Sequence, residues 1–304
     1  MTDTTLVILN PHANNGRVRQ VWGTLKPELV LCFGAVDGQF TETPAATLPL
    51  IQAAYAEGVR RVLSVGGDGT NHSVINAILT VQAANPGGER IAYGNIPVGT
   101  GRDWTRAIGA PLQPQAAIRH LAQTTPQPID VGEFQVDDAP PEFFLNTSSI
   151  GLGGCVSRSV NNLGRRYPWS FMWQTLRCIF RYDPQTVTVT VDDQQLFEGR
   201  TFITVVTNGG VFGHGMKIAP PAKIDDGKLD VVAIETLARH ALLRLFAQVY
   251  SGTHLNHPLV MHRRATEVTI TSHDGVLAVE LDGETRNGRT LRYRVHPAGL
   301  TILR

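Results

Sequence analysis

The sequence predicts an α/β domain followed by a mostly antiparallel β domain, and three observations carry that reading. Short apolar runs alternate with helical patterns as far as Ala122, Gly-rich turns stand where those runs hand over to helices, and strand patterns dominate beyond Pro128. The chain has 304 residues, more than the roughly 250–300 at which a single core stops growing, so two domains are expected. Hydrophobic residues at 42% and charged residues at 17% are the balance of a globular protein. Lys and Arg number 27 against 26 Asp and Glu, so no basic field recruits nucleic acid, and none is expected as a partner.

The elements follow in order. Leu6–Leu9 reads as a strand, Val18–Lys26 as a helix, Leu29–Phe33 as a strand and Ala45–Glu57 as a helix. Arg61–Val65, a helix over Asn71–Ala83 and the strand Ile91–Ile96 complete a series of βαβ units with a parallel sheet. A helix over Ala116–Ala122 precedes TTPQP at Thr124–Pro128, which has two prolines and no apolar period. The boundary is drawn there, giving domains 1–128 and 129–304. The second domain shows strands at Asp130–Val136, Phe143–Ile150, Thr186–Val191, Arg200–Thr207, Leu229–Ile234, Glu267–Thr271, Val276–Leu281 and Leu291–Val295. Helices are expected near Trp169–Arg181 and Ala238–Tyr250, and the closing strand Gly299–Leu303 fits either domain.

Cys32, Cys155 and Cys178 form no CxxC pair, which suits a reducing compartment. The strand-like LVILN near the N-terminus lacks the charged and long apolar regions of a secretory signal, and no run reaches the roughly 18 apolar residues of a membrane span. A cytoplasmic protein that meets lipid only from the surface is expected.

Three turns carry candidate chemistry. In RVLSVGGDGTNHSVI an apolar strand runs into Gly66, Gly67, Asp68, Gly69, Thr70 and Asn71, then a helix. The glycines let backbone amides wrap a polyphosphate, Thr70 or Asn71 is placed to cap the helix, and the helix's positive end favours the anion. Asp68 in a phosphate loop repels its ligand unless a metal or a reacting proton intervenes, so it points to Mg²⁺ or base chemistry. NIPVGTGRDWTR repeats the arrangement with Gly99, Thr100 and Gly101 facing the first loop across adjacent strand ends. NPHANNGR, from Asn10 to Arg17, is the third such turn. Each also fits a plain strand-to-helix turn. Neither GxxxxGK[ST] nor GxGxxG occurs, which disfavours an ordinary P-loop kinase or dehydrogenase.

These residues resemble the diacylglycerol kinase catalytic domain family, which includes sphingosine and ceramide kinases and bacterial lipid kinases. Seven segments match in order: NPHANNGR, VGGDGTNHSVINAI, PVGTGRDWTRAIG, DVGEF, NTSSIGLGG, GHGMKIAPPAKIDDGKLDVV and LDGE. The resemblance implies a three-layer α/β nucleotide-binding domain, similar to those of phosphofructokinases and NAD kinases, and a C-terminal β-sandwich, with ATP in the cleft between them. It implies an ATP-dependent lipid kinase with ATP phosphates on Asn10, on Gly66, Gly67, Asp68, Gly69, Thr70, Asn71 and His72, and on Thr100, with Thr41 near the nucleotide. Asp68 is implied as catalytic or metal-coordinating, and Asp282 and Glu284 of LDGE complete the catalytic set, Glu284 as the base. The same LDGE also reads as a DG hairpin turn. Similarity to bacterial members places a structural Mg²⁺ on Asp226 and the carbonyls of Leu229 and Val231, with Asp225 as the alternative carboxylate. ATP and a lipid are the implied partners, and a homodimer is left open.

The chain also departs from the family pattern. Ala13 and Asn14 stand where a Ser-Gly pair is usual, and Arg102 stands where many members have Asn, offered either to a phosphate or to Asp103. The segment Arg165–Tyr182 gathers Trp, Phe and Tyr with arginines; Trp169, Met172, Trp173, Leu176 and Phe180 share one helical stripe. That stripe reads either as an interfacial membrane contact or as core packing. Rival readings are a kinase for a soluble substrate, of the NAD kinase or phosphofructokinase type, and a catalytically silent nucleotide-binding regulator.

Overall fold

The structure, a computed structural model, describes residues 4–163 and 169–304. Two compact units form, one from the chain up to Ile129 together with Ala298–Arg304, the other from Asp130–Pro297.

The first unit contains β1 (Thr5–Leu9), α1 (Ala13–Phe33), β2 (Val36–Phe40), α2 (Thr47–Ala56), β3 (Arg61–Gly66), α3 (Asp68–Ala84), β4 (Ala92–Pro97), α4 (Asp103–Ala107) and α5 (Pro114–Gln123). The strands are parallel in the order β4-β3-β1-β2, and Thr301 and Ile302 near the chain's end pair in parallel with Ala92 and Tyr93 of β4. Every residue of β1 is buried, as a parallel strand covered on both faces must be. Val7, Leu9, Leu63, Val65 and Ile96 pack beneath α1 and α5. α2 and α3 cover the other face, α3 through Val74, Ile75 and Ile78. The result is three layers.

Two expectations are corrected in this unit. Leu29–Phe33 is not a strand but the end of α1, which is broken by the left-handed Asn14–Gly16 and then continues through Pro27. Leu25, Leu29 and Phe33, spaced i, i+4 and i+8, are its buried side, while Leu31 is 82% exposed, so the period is helical although the local run is apolar throughout. The third helix starts at Asp68 rather than Asn71, with Gly67 as its N-cap and no side-chain cap, so neither Thr70 nor Asn71 caps it.

The second unit contains β5 (Pro126–Val136), β6 (Glu142–Phe144), β7 (Thr147–Gly151), α6 (Leu152–Asn161), α7 (Ser170–Arg181), β8 (Gln185–Val191), β9 (Gln194–Thr207), β10 (Leu229–Glu235), α8 (Arg239–Ser251), β11 (Val260–Ala265), β12 (Glu267–Ser272), β13 (Leu277–Leu281), β14 (Glu284–Gly288) and β15 (Thr290–Leu303). β5 enters this unit from the first, and β15 leaves it again. The pairings β7–β9, β8–β9, β8–β12, β12–β15, β7–β13, β13–β14, β9–β10 and β10–β11 are all antiparallel. β9 joins β8 along its first half and β7 and β10 along its second, linking the sandwich together.

Alternation along β9 and β10 sorts their apolar residues onto two faces. Val206 and Val231 enter the sandwich core with Phe134, Phe144 and Tyr293, whereas Val205, Val232 and Ile234 face α6, α7 and α8. The expected single strand Phe143–Ile150 is two, β6 and β7, interrupted at Leu145 and Asn146. α6, β11 and β14 were not anticipated from the sequence pattern.

Candidate active site

Because β1, β2, β3 and β4 run in parallel, the loops that leave their carboxyl ends share one edge of the sheet, the edge where open α/β sheets bind ligands. The Asn10–Arg17 turn, Thr41, the Gly66–Gly69 turn and the Val98–Gly101 turn all leave from it. Hydrogen bonds tie them into one surface. The Asn10 side-chain amide donates to Thr70 Oγ1 at 3.0 Å, Asn14 donates to the Val98 carbonyl at 3.0 Å, and the Thr41 amide donates to the Leu9 carbonyl at 2.9 Å. Asn14, Asn15 and Gly16 carry φ of 51°, 57° and 86°, so the first loop turns through a left-handed stretch that Asn tolerates best after Gly.

The two Gly-rich turns meet backbone to backbone. The Gly66 carbonyl accepts both the Val98 and the Gly99 amides at 2.9 Å, and a Cβ on Gly99 would lie 2.5 Å from Gly67 Cα. No side chain fits there, and the close approach brings backbone dipoles of both turns to the mouth of α3. The first amides of a helix lack intrahelical acceptors, and the macrodipole adds positive potential, so the mouth suits an anion. Asp68 opens α3, is half-buried, and accepts a long 3.4 Å hydrogen bond from the Trp104 amide. Gly101 passes close to it: a Cβ there would lie 2.8 Å from Asp68 Oδ2. Thr100 is half-exposed between the two glycines of its turn.

Behind the loops lies a polar network absent from the sequence reading. Ser64 Oγ donates to Asn71 Oδ1 at 2.9 Å, Asn95 Nδ2 donates to the same oxygen at 2.7 Å, Thr105 Oγ1 donates to Asn95 Oδ1 at 2.9 Å, and Tyr93 meets Ser64 Oγ at 2.9 Å. All five residues are buried, so the network locks β3, β4, α3 and α4 to one another. The Asn71 side-chain oxygen is held in this frame, and His72 is buried beside it. The signal for the network was available as polar residues at strand positions that should be apolar, Ser64 and Asn95.

Arg102 adopts φ 57° at the start of α4 and donates to the Leu112 carbonyl at 3.2 Å. Asp103 is bridged by Arg106, an i,i+3 pair at 3.5 Å. Burial, then Arg106 and Arg17, push the Arg102 guanidinium below its usual range.

In the second unit Asp282 and Gly283 form the two-residue connection between β13 and β14, with Leu281 opposite Glu284 and φ of 47° and 90° at the two turn positions. Positive φ at both positions is the type I′ condition, which Asp-Gly satisfies. Asp282 is buried, and its carboxylate accepts the amides of Leu145, Asn146 and Thr147 at 2.7, 3.1 and 3.0 Å. This is why β6 and β7 break at Leu145 and Asn146. The half-buried Glu284 has no side-chain hydrogen bond or ion pair among the described residues, and the neighbouring Arg286 is held bidentately by Glu142 at 2.6 and 2.7 Å.

Asp226 accepts the Lys228 amide at 3.1 Å and is ion-paired to Arg264. Leu229 and Val231 lie in β10, which is flanked by β9 and β11, and Asp225 is exposed. Among the described residues no group of three or more His, Cys, Asp or Glu converges. With Arg264 on its one carboxylate, the Asp226 donor set does not fit a hard dication. Asp130 of the DVGEF segment instead secures this loop, accepting the Gly227 amide at 2.6 Å.

The aromatic stripe settles the packing question on α7. Trp169, Trp173 and Phe180 are 63%, 60% and 59% exposed, and Met172 is exposed with them; Leu176 is half-buried. The buried side is Ser170, Gln174, Thr175, Cys178 and Ile179, so the reading of the stripe as core is overturned. Residues 164–168, which include Arg165 and Arg166 of the expected segment, lie outside the described residues. No helix among the described residues is long and apolar enough to cross a membrane.

Comparison with known proteins agrees with both units. The diacylglycerol kinase catalytic domain model matches residues 4–134, and the YegS C-terminal NAD kinase beta sandwich-like domain model matches residues 146–304. A Pseudomonas aeruginosa protein named "Probable lipid kinase YegS-like" is 30% identical over 258 residues, covering 83% of this chain and 79% of the relative. A Mycobacterium tuberculosis "Diacylglycerol kinase" is 29% identical over 259 residues, covering 84% and 80%. The crystal structure of a diacylglycerol kinase from Bacillus anthracis shares the fold with a TM-score of 0.73 at 21% identity, over 99% of this chain and 96% of that one. The α/β unit with its paired glycine turns and the β-sandwich with its Asp-Gly-Glu hairpin therefore belong to a member of the diacylglycerol kinase catalytic domain family, a kinase with ATP as co-substrate.

Proposed function

We propose that this protein transfers the γ-phosphoryl group of ATP to the hydroxyl of a diacylglycerol-like lipid at a membrane surface. The observation that carries the reading is the backbone contact of Gly67 with Gly99, which joins two glycine turns at the mouth of α3 with Asp68 beside them. Amides of the Gly66–Gly69 turn and the hydroxyls of Thr70 and Thr100 suit the phosphates, with Asn10 and Thr41 fixing the flanking loops. Phosphoryl transfer needs positioning and charge neutralisation more than covalent chemistry, which such a surface supplies. Asp68 fits a Mg²⁺ that arrives with ATP: it is a half-buried carboxylate at the mouth of an anion-favouring helix, and bound Mg²⁺ would neutralise phosphate charge there.

Glu284 is the general base in this reading, because its carboxylate is uncommitted where Asp282's is spent on three amides. Asp282 is thereby a positioning residue. The lipid acceptor is supported by family membership and by the outward aromatic face of α7. The test is transfer of labelled phosphate from Mg²⁺–ATP to a panel of lipids in mixed micelles, with NAD and sugar phosphates as controls. Label on a lipid hydroxyl is expected; label only on a soluble control, or none despite ATP binding, would overturn the proposal.

A further inference from the structure

α7 departs from an ordinary surface helix: Gln174 and Thr175 are buried beside Cys178 and Ile179, while Trp169 at its start, Met172, Trp173 and Phe180 are exposed. The charge around it is equally one-sided. α6, α7 and α8 contain no Asp or Glu, although acids and bases are nearly equal in number over the whole chain. Arg177, Arg181 and Arg244 are exposed and have no carboxylate partner among the described residues. Arg239 of α8 donates to the carbonyls of Ile179 and Tyr182, satisfying the end of α7 and fastening it to the layer.

We infer that α7, with the exposed arginines of α7 and α8, is a docking face for an anionic lipid bilayer. Tryptophan is suited to the headgroup region, with an apolar body and a polar N–H, and unpaired guanidiniums meet lipid phosphates. Twelve residues make a helix of about 18 Å, too short to cross the roughly 30 Å hydrocarbon core but long enough to lie within the interface. A second copy of the chain is a poorer occupant, because self-association would bring unpaired arginines together. The inference deepens the reading of the acceptor as a lipid, but its test does not depend on catalysis.

The full chain should co-sediment with phosphatidylcholine vesicles containing phosphatidylglycerol and much less with phosphatidylcholine alone, with a blue shift in tryptophan emission. Arg177→Ala and Arg181→Ala should each weaken binding about fivefold, the equivalent of about 1 kcal/mol per charge. Trp173→Ala with Phe180→Ala should abolish the shift yet leave turnover on a dispersed short-chain acceptor unchanged. Equal binding to both vesicles, binding unaltered in the aromatic variant, or a wild-type dimer that the variant splits would each overturn the inference. Vesicle binding without phosphate transfer to any lipid would instead contradict only the proposed kinase activity.

A separate observation concerns the hairpin. Glu280 accepts the Gly283 amide at 2.8 Å with one carboxylate oxygen and the Ser149 hydroxyl at 2.8 Å with the other, while Asn161 of α6 donates to the Gly283 carbonyl at 3.2 Å. Both backbone groups of the residue before Glu284 are thus held by side chains. α6 also lies against β13 so closely that a Cβ on Gly154 would sit 2.0 Å from the Ala278 carbonyl oxygen. The geometry points to Glu280 as a positioning residue for Glu284, an inference that rests on Glu284 as base. Glu280→Ala should lower kcat with the KM for ATP unchanged, and Glu280→Gln, which keeps an acceptor for Gly283, should restore most of it. In a Glu284→Gln background Glu280→Ala should cost nothing further. A wild-type kcat in Glu280→Ala, or fully additive losses in the double variant, would overturn the assignment.

Discussion

The glycine turns of the first unit and the Asp-Gly-Glu hairpin of the second solve the same problem in opposite ways. Around the glycine turns, backbone contacts shape the surface and side chains brace it from behind: the Gly66 carbonyl holds two amides, and Ser64, Asn71, Asn95 and Thr105 form the brace. At the hairpin, carboxylates shape the backbone: Asp282 gathers three amides and Glu280 a fourth. In both regions most of the residues that look reactive in sequence are committed to structure. The ones left for chemistry are Asp68, which opens α3 with Gly101 passing close to its carboxylate, and Glu284, which has no side-chain bond among the described residues.

That contrast can be broken by mutation. The largest effect is expected for Asp68→Ala, which should reduce turnover by roughly 10²–10³-fold, the scale for losing one transition-state charge stabiliser, with an unchanged melting temperature. Near wild-type rates in a folded Asp68→Ala protein would contradict the role. Gly99→Ala places a methyl 2.5 Å from the Gly67 backbone, where nothing flexible can yield; it should cost about 1–3 kcal/mol of stability or raise the KM for ATP severalfold. Denaturant titration and ATP kinetics together would expose a silent outcome. Asn95→Ala leaves the Thr105 hydroxyl and part of Asn71 unsatisfied in the core, so a loss of about 1–3 kcal/mol is expected with kcat little changed in the protein that remains folded.

A smaller effect is expected with pH. Burial lowers the His254 pKa, and its Nε2 lies 2.9 Å from the Ile218 carbonyl. The unfolded chain binds the proton more readily than the folded one, so this contribution is complete above the ordinary histidine pKa and is lost as pH falls below it. Melting temperatures from pH 7.5 down to pH 5.5 should decline, and a His254→Gln variant should decline less steeply.

The alternation of apolar runs and Gly-rich turns made the fold class legible, because parallel strands buried on both faces leave a continuous apolar signature. Leu29–Phe33 was not legible as helix, because a five-residue apolar run has no period of its own and only the packing of Leu25, Leu29 and Phe33 on β1 and β3 reveals it. Sequence motifs located the candidate site but not the commitments within it. Asp282 looks as reactive as Glu284 until the three amides on its carboxylate are seen. The outward face of α7 shows the same gap in reverse: its stripe is plain in the sequence, but whether it faces in or out is decided only by the burial of Gln174 and Thr175.

The most direct test compares Asp282→Asn with Glu284→Gln, each measured for melting temperature and for single-turnover phosphate transfer from Mg²⁺–ATP to lipid. Asp282→Asn should lose stability markedly, because its three amides lose half of their charged acceptor. Glu284→Gln should keep the wild-type melting temperature and lose roughly 10²–10⁴-fold in transfer rate, the scale of a general base. A stable, inactive Asp282→Asn beside an active Glu284→Gln would reverse the two roles and contradict the account.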